Sequence, residues 1–395
     1  MTIGALSHLK VIDLSRVRAG PNCVRVLADF GAQVIRVEPP PGVDPNESMF
    51  MGNRDGGDFQ NLNRNKRSLT LNFKKPQALE VFMRLVAQAD IVVENWRPDV
   101  KHRLGVDYDA LKRVNPRIIL ASISGYGQSG PYVKRPSFDQ VMQGMGGLMS
   151  VTGEPGSGPM RAGTAVADLS AGLYAAIGIF VALTEREKSG EGQWVQSDLL
   201  HAQVAMMDFQ IARYTNEGTV PVQEGNNHPT CSPMGMFKAS DGYFNLGVAG
   251  DGLWARFCTL IERPEWLTDE AFATEALRVK NRPRLNGMVN DVFSTRSVAA
   301  WVHLLNDGGV PAGPVYSVPD LLEDEQVKHL GVTHTLQAPG EPQRSYVTQP
   351  VKMSRTPATV RTPAPGWGEH TEEILQELGY SAQEMTDFQT QGVTA

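Results

Sequence analysis

The sequence predicts an α/β protein built on a doubly wound, mostly parallel sheet. Three observations point there. Short β-branched runs alternate with helix-period stretches through the first 135 residues. The runs end in turns containing Gly, Pro or Arg. The chain's 395 residues, 41% hydrophobic and 20% charged, suffice for a large core and for more than one domain.

Lys10–Leu14 (KVIDL) reads as the first strand and Pro21–Phe30 as the first helix, with proline near its first turn. Gln33–Val37 (QVIRV) is the second strand and Ser68–Phe73 (SLTLNF) the third. Pro76–Ala89 sets Ala78, Phe82, Leu85 and Val86 at helical spacing. Asp90–Val93 is apolar and β-branched, Asp107–Val114 is a short helix, and Arg117–Ser124 (RIILASIS) is another strand. Tyr126–Gly163, rich in Gly and Met, predicts a wrapping segment without regular elements. A long helix follows Asp168 and ends near Lys188-Ser189-Gly190. Gln193–Ser197 then reads as a strand and Leu199–Tyr214 as a helix. Gly218–Pro233 reads as a linker. Beyond it come a strand pair, Gly235–Phe237 and Tyr243–Val248, and several helices up to about Val318. Gln326–Ala395 is loop-rich, with one clear helix at Thr371–Leu378.

The net charge of −6 conceals an asymmetry. Residues 1–135 carry 20 Lys and Arg against 13 Asp and Glu; the rest carry 17 against 30. A basic first third in an acidic chain suggests a small anionic ligand held there, although charge also drifts along chains without consequence. A basic stripe or known module for nucleic acid is missing, so no nucleic-acid partner is expected. The apolar stretch Leu169–Leu183 is shorter than the roughly 20 residues a bilayer span needs, so no membrane partner is expected. MTIGALSHLK does not read as a signal peptide. Cys23, Cys231 and Cys258 are odd in number and outside any CxxC, which predicts a reducing, cytoplasmic setting without disulfides.

Several chemistries lack their motif. Nicotinamide binding needs GxGxxG after the first strand, whereas the turn here is Ser15-Arg16-Val17-Arg18-Ala19-Gly20-Pro21. Its paired arginines suit phosphates, or are solvated surface residues. The eight histidines show no metal-ligand spacing, and HExxH, P-loop and GxSxG are missing. Asp168 stands out as the one acid between Glu154 and Glu185, where an apolar helix opens. Two roles suit it: a helix N-cap, or a partly desolvated covalent nucleophile.

Ten segments in order resemble the class III CoA-transferases of the CaiB/BaiF type, which include formyl-CoA transferase and α-methylacyl-CoA racemase. They are KVIDLSRVRAGP, GAQVIRVEPP, NRNKRSLTLNFK, ADIVVENWRPDVKHRLGVDYDAL, NPRIILASISGYGQSGPY, the Asp168 segment, EREKSGEGQWVQSDLL, GNNHPTCSPMGMFKASDG, GVPAGPV and PAPGWGEHTEEILQELGY. The resemblance implies a discontinuous, Rossmann-like large domain with a smaller α+β domain inserted. Residues 1–217 would begin the large domain, 218–233 link, 234–325 form the small domain, and 326–395 return. Two chains would interlock as a homodimer.

By the same resemblance Asp168 is the nucleophile, forming aspartyl anhydride and aspartyl-CoA thioester intermediates. Coenzyme A enters as a substrate thioester, with no metal and no nicotinamide. The implied CoA contacts are Arg16, Val17, Arg18 and Ala19; Leu71, Asn72, Phe73 and Lys74; Asn95, Trp96, Arg97 and Arg103; and Pro136, Ser137, Phe138 and Asp139. Pro39 stands where formyl-CoA transferase has a nucleotide-binding arginine, leaving Arg18 or Arg36 to substitute. Gly247, Gly250, Asp251 and Gly252 fall where relatives carry a mobile glycine loop over the site; a plain strand-to-helix turn is the other reading. Donors such as succinyl-CoA and a small dicarboxylate acceptor are expected, with Arg161 and His228 as candidates for a second carboxylate. Racemisation needs two acid/base groups, and the Gly-His-Asp of racemases is Ser137-Phe138-Asp139 here. A non-catalytic CoA-binding protein is the other alternative, which the presence of Asp168 disfavours.

Overall fold

The computed structural model describes residues 4–45, 52–337, 340 and 342–395. The chain divides into two compact units. The first comprises residues 1–148, 161–217 and 328–395; the second comprises 149–160 and 218–327.

The first unit is built on six parallel strands: β1 (Lys10–Asp13), β2 (Gln33–Glu38), β3 (Lys66–Thr70), β4 (Ile91–Glu94), β5 (Ile119–Ser124) and β6 (Trp194–Asp198). Their spatial order is β3-β2-β1-β4-β5-β6. Successive side chains of a strand face opposite ways, and with both faces covered they read as continuous apolar runs. Val11, Ile91, Val93, Ile119 and Ala121 enter one core, beneath the Ala19–Asp29 and Val166–Ser189 helices. Ile12, Val92, Leu120 and Leu69 enter the other, beneath the Pro76–Val86 and Thr371–Glu377 helices. After β3 the chain crosses back to the far side of β1, so the carboxyl ends of β1 and β4 flank a switch-point crevice, where such sheets bind ligands.

The Val166–Ser189 helix is long and apolar enough to cross a membrane by length and composition. Here Ala167, Ala171, Ala175, Ile179 and Ala182 bury its inner face in the first core. It stops at Gly190, whose φ of +79° is the left-handed cap that glycine supplies.

Several elements depart from the sequence reading. Tyr126–Gly163 contains helices at Asp139–Met145 and Leu148–Val151. The expected Leu199–Tyr214 helix is two, Leu199–Met206 and Phe209–Glu217, broken where Asp208 turns to φ +36°. Aspartate tolerates that region better than most residues. Near the C-terminus the antiparallel pair Thr333–Leu336 and Arg344–Val347 and the Ala382–Thr390 helix join the Thr371–Glu377 helix. The pair is mostly exposed and lacks apolar alternation; its anchor is buried Tyr346, whose hydroxyl lies 3.2 Å from Gln60 Oε1.

The second unit holds a three-stranded antiparallel sheet of Met234–Lys238, Tyr243–Gly247 and Ala312–Pro314. Helices cover an aromatic core that includes Phe237, Phe244, Trp254, Phe257, Phe293 and Trp301.

Candidate active site

A cleft of about 750 Å³ opens at the carboxyl ends of β1 to β5, and Asp168 lines it. The two strand ends at the switch point are tied by Asn95. Its Oδ1 accepts from the Arg16 amide at 2.8 Å, and its Nδ2 donates to the Arg16 carbonyl at 2.7 Å. Val17 follows at φ +61°, a left-handed conformation that a β-branched residue resists. The tethered turn holds it there and presents Arg18 at the start of the Ala19–Asp29 helix.

Asp168 occupies the first turn of the Val166–Ser189 helix, but it is not the cap. Ala165 holds that position, and it supplies no side-chain hydrogen bond. Asp139 does the capping from another helix: its Oδ1 accepts from the amides of Ala167 at 2.9 Å and Asp168 at 3.3 Å. Gln143, one turn after Asp139, donates to Asp139 Oδ2 at 2.6 Å and to the Thr164 carbonyl at 2.8 Å. No hydrogen bond reaches the Asp168 carboxylate among the described residues. The helix itself is held against the first turn. A β-carbon on Gly172 would collide with the Ala19 carbonyl oxygen, and Asn22 Nδ2 donates to the Leu169 carbonyl at 3.3 Å.

This leaves the Asp168 carboxylate half-buried, with no capping role and in the wall of the cleft. Burial raises its pKa first and the Asp139 charge second, while Arg18 pulls it down; the result is about 6. The positive end of the helix also favours the anion. The carboxylate is therefore mostly ionised at neutral pH yet poorly solvated, a state suited to nucleophilic attack.

The expected contacts gather around it. Arg16, Val17, Arg18 and Ala19 line the cleft, as do Leu71, Asn72, Phe73 and Lys74. So do Asn95, Trp96, Arg97, Arg103, Pro136, Ser137 and Phe138. Phe73 and Trp96 pack edge to face at 6.2 Å. Asp139 departs from the expectation: it is buried, does not line the cleft, and is committed to the helix end. Arg36 is likewise buried, donating to Glu38 at 3.2 Å and to Asn63 at 2.9 Å, and is absent from the cleft wall. Pro39 lines the wall, and its carbonyl accepts from Trp367 Nε1 at 2.9 Å.

Gly247, Gly250, Asp251 and Gly252 belong to the second unit. Gly247 ends a strand, and Gly250, at φ +75°, begins the Gly250–Leu260 helix. Asp251 accepts from buried Arg278 at 2.9 Å. His228 is also in the second unit, where its Nδ1 lies 3.3 Å from the Thr230 amide. Arg161 is exposed and not in the cleft wall.

Other wall residues were not singled out from sequence. Ser124 is one: it is buried, and its Oγ has no partner among the described residues. The Nε1 of Trp96, a residue the sequence did single out, also has no partner among them. Two carboxylates also hold the site's arginines: Asp44 pairs with Arg16, and Asp58 with Arg18 at 2.6 Å. The i, i+4 spacing of Asp139 and Gln143 was a usable signal for the capping network. Nothing in the spacing of Asp44 or Asp58 marks either as an arginine partner.

The model of the family described as CoA-transferase family III matches residues 6–371. The chain belongs to CoA-transferase family III. Among its relatives, the succinate–glutarate CoA-transferase of Agrobacterium fabrum is 36% identical, over 94% of this chain and 95% of its own length. The succinyl-CoA:mesaconate CoA-transferase of Haloarcula hispanica is 35% identical, over 95% and 97%. The crystal structure of a CAIB/BAIF family protein from Brucella suis superposes with a TM-score of 0.84 at 34% identity, covering 96% of this chain and all of that one. As a CoA-transferase of EC 2.8.3 type, this family III chain acts on CoA thioesters. Its large unit carries the expected α/β fold and six-stranded parallel sheet.

Proposed function

We propose that the protein moves CoA from a donor such as succinyl-CoA to a small dicarboxylic acid through covalent intermediates on Asp168. The observation that carries this reading is a half-buried carboxylate, spared from capping its own helix, in the wall of a cleft rimmed by basic residues. The names of the relatives, which pair succinyl-CoA or succinate with glutarate and mesaconate, support the substrate class.

The steps balance without an added group. The Asp168 carboxylate attacks the donor thioester carbonyl, and the CoA thiolate leaves a mixed anhydride behind. The thiolate then attacks the Asp168 carbonyl, which releases the donor acid and forms an aspartyl-CoA thioester. The acceptor carboxylate attacks that thioester and expels the thiolate again. Attack of the thiolate on the acceptor's carbonyl yields the new acyl-CoA and restores Asp168. Each step is an acyl transfer between leaving groups of manageable strength.

Arg16, Lys74, Arg97 and Arg103 supply cations for the CoA phosphates. Phe138, 48% exposed, has no proton to move, which disfavours racemisation. The active form we propose is an interlocked homodimer with an inserted second domain. Leu173, Ile177 and Val181 support the dimer, forming an exposed apolar stripe along the Asp168 helix. Three free cysteines suit a cytoplasmic setting.

The test is a panel of acids with succinyl-CoA, read by mass spectrometry. A new acyl-CoA from glutarate, mesaconate or a similar diacid is expected. Transfer only to monocarboxylates, or none at all, contradicts the reading.

A further inference from the structure

Arg18 lies in the same cleft wall as Asp168, yet its guanidinium is held by a residue outside that wall. Its Nη2 donates to Asp58 Oδ2 at 2.6 Å, and Asp58 is 67% exposed at its side chain. An ion pair with so exposed a carboxylate is worth little, so a better placed anion can replace it. Of the other cations of the wall, Arg16 pairs with half-buried Asp44, Lys74 Nζ donates to the Val43 carbonyl at 3.0 Å, Arg97 and Arg103 reach the exposed Asp99 at 4.0 and 3.4 Å, and Arg135 stacks over Tyr132. Arg18 is also the cation whose charge acts on Asp168. The Val17 backbone, held at φ +61° by the Asn95 tether, fixes where its side chain starts.

The covalent cycle gives this placement a consequence. While Asp168 is ionised, it balances part of the Arg18 charge. Once Asp168 becomes a neutral CoA thioester, that balance is lost. The cleft then favours an incoming anion at the moment an acceptor acid must enter. A diacid presents two carboxylates: one attacks the thioester, and the other needs a cation nearby.

We propose that Arg18 is the specificity-determining residue for the second carboxylate, exchanging Asp58 for the far end of the diacid in acceptor and donor alike. This rests on the transferase reading above and names the side chain that selects diacids. A planar guanidinium suits the task because it grips a carboxylate through two parallel hydrogen bonds.

The experiment compares glutarate with valerate, which keeps the chain length and lacks the second carboxylate. Succinyl-CoA serves as the common donor, so that the glutarate-to-valerate ratio reports the acceptor half-reaction alone. Wild type is expected to prefer glutarate. Arg18→Gln should lower that preference about 30-fold, chiefly through KM for glutarate, while free CoA binds within about threefold of wild type by calorimetry. Arg18→Lys should recover part of the preference. Asp58→Asn, a surface change, should lower KM for glutarate by removing the competing carboxylate.

An unchanged glutarate-to-valerate ratio in Arg18→Gln overturns the inference while leaving the transferase reading intact. A loss of CoA affinity as large as the loss of glutarate affinity also overturns it, placing Arg18 on the phosphates instead. A higher KM for glutarate in Asp58→Asn counts against the exchange. Absence of CoA transfer by wild type from succinyl-CoA to either acid removes the reading on which the inference stands.

Discussion

Asp139 Oδ1 accepts hydrogen bonds from the amides of Ala167 and Asp168, so one aspartate caps the helix on which the other sits. From the residues alone, cap and nucleophile both stand open for Asp168, and Asp139 is expected at the CoA site. The fold gives the cap to Asp139. Capping from outside frees the Asp168 side chain, and placing the two acids close makes it harder to ionise.

Asp139→Asn separates the two effects. Asparagine still accepts from the amides, but its Nδ2 meets the Gln143 Nε2 donor where Oδ2 accepted, so stability should fall by about 1–3 kcal/mol. The like charge is gone, so the Asp168 pKa should drop and the acid limb of the pH–rate profile should move below 6. Asp139→Ala removes the cap as well and should cost about 1–2 kcal/mol in chemical denaturation. An unmoved acid limb in Asp139→Asn contradicts the electrostatic coupling.

The wild-type pH profile follows from the same carboxylate. Attack requires the ionised form, and burial places its pKa near 6. The kcat/KM for the acyl-CoA donor should fall about tenfold per pH unit well below that value and level off above it. A plateau reaching down to pH 4.5 contradicts the raised pKa.

Asp168→Asn should be inactive and more stable than wild type at neutral pH. Folded Asp168 titrates near 6, against an ordinary value of 3.8. Between those values the folded chain holds more protons than the unfolded one, so its stability falls as pH rises through the interval. The full deficit, about 1–3 kcal/mol after allowing for partial exposure, is present above pH 6. Denaturant titrations of both proteins should therefore diverge from pH 4 to 6 and then run parallel. Equal stability at pH 7 contradicts the desolvated carboxylate.

Gly172→Val tests the contact that seats the nucleophile helix. Its β-carbon would meet the Ala19 carbonyl oxygen, so the helix must shift from the Arg18 turn. Overpacking of this kind costs about 1–3 kcal/mol. The loss of kcat should exceed what the lost folded fraction explains, because the reacting atoms move apart. Full activity per folded molecule would show that the contact does not place Asp168.

The parallel sheet was legible because its strands are buried on both faces and read as runs of small, Ile- and Val-containing residues bounded by turns, as in Ile91–Glu94 and Ile119–Ser124. The cleft wall was legible through motifs that fall at strand ends, and residues from Arg16 to Phe138 meet in one cleft. What escaped depends on long-range geometry. Asp139 reaches a helix end 28 residues on, and Asp58 reaches Arg18 across 40 residues. The Thr333–Leu336 strand is mostly exposed and offers no apolar face for periodicity to reveal. The break at Asp208 is a single left-handed residue within a helical composition.

The most direct test of the account is covalent capture at Asp168. The enzyme is incubated with succinyl-CoA and hydroxylamine, digested, and the Asp168 peptide is weighed by mass spectrometry. The predicted result is a hydroxamate on Asp168, formed only when donor is present, with parallel loss of activity. Unmodified Asp168 in enzyme that is turning over, or wild-type transfer rates in Asp168→Ala, would contradict the covalent role assigned to this carboxylate.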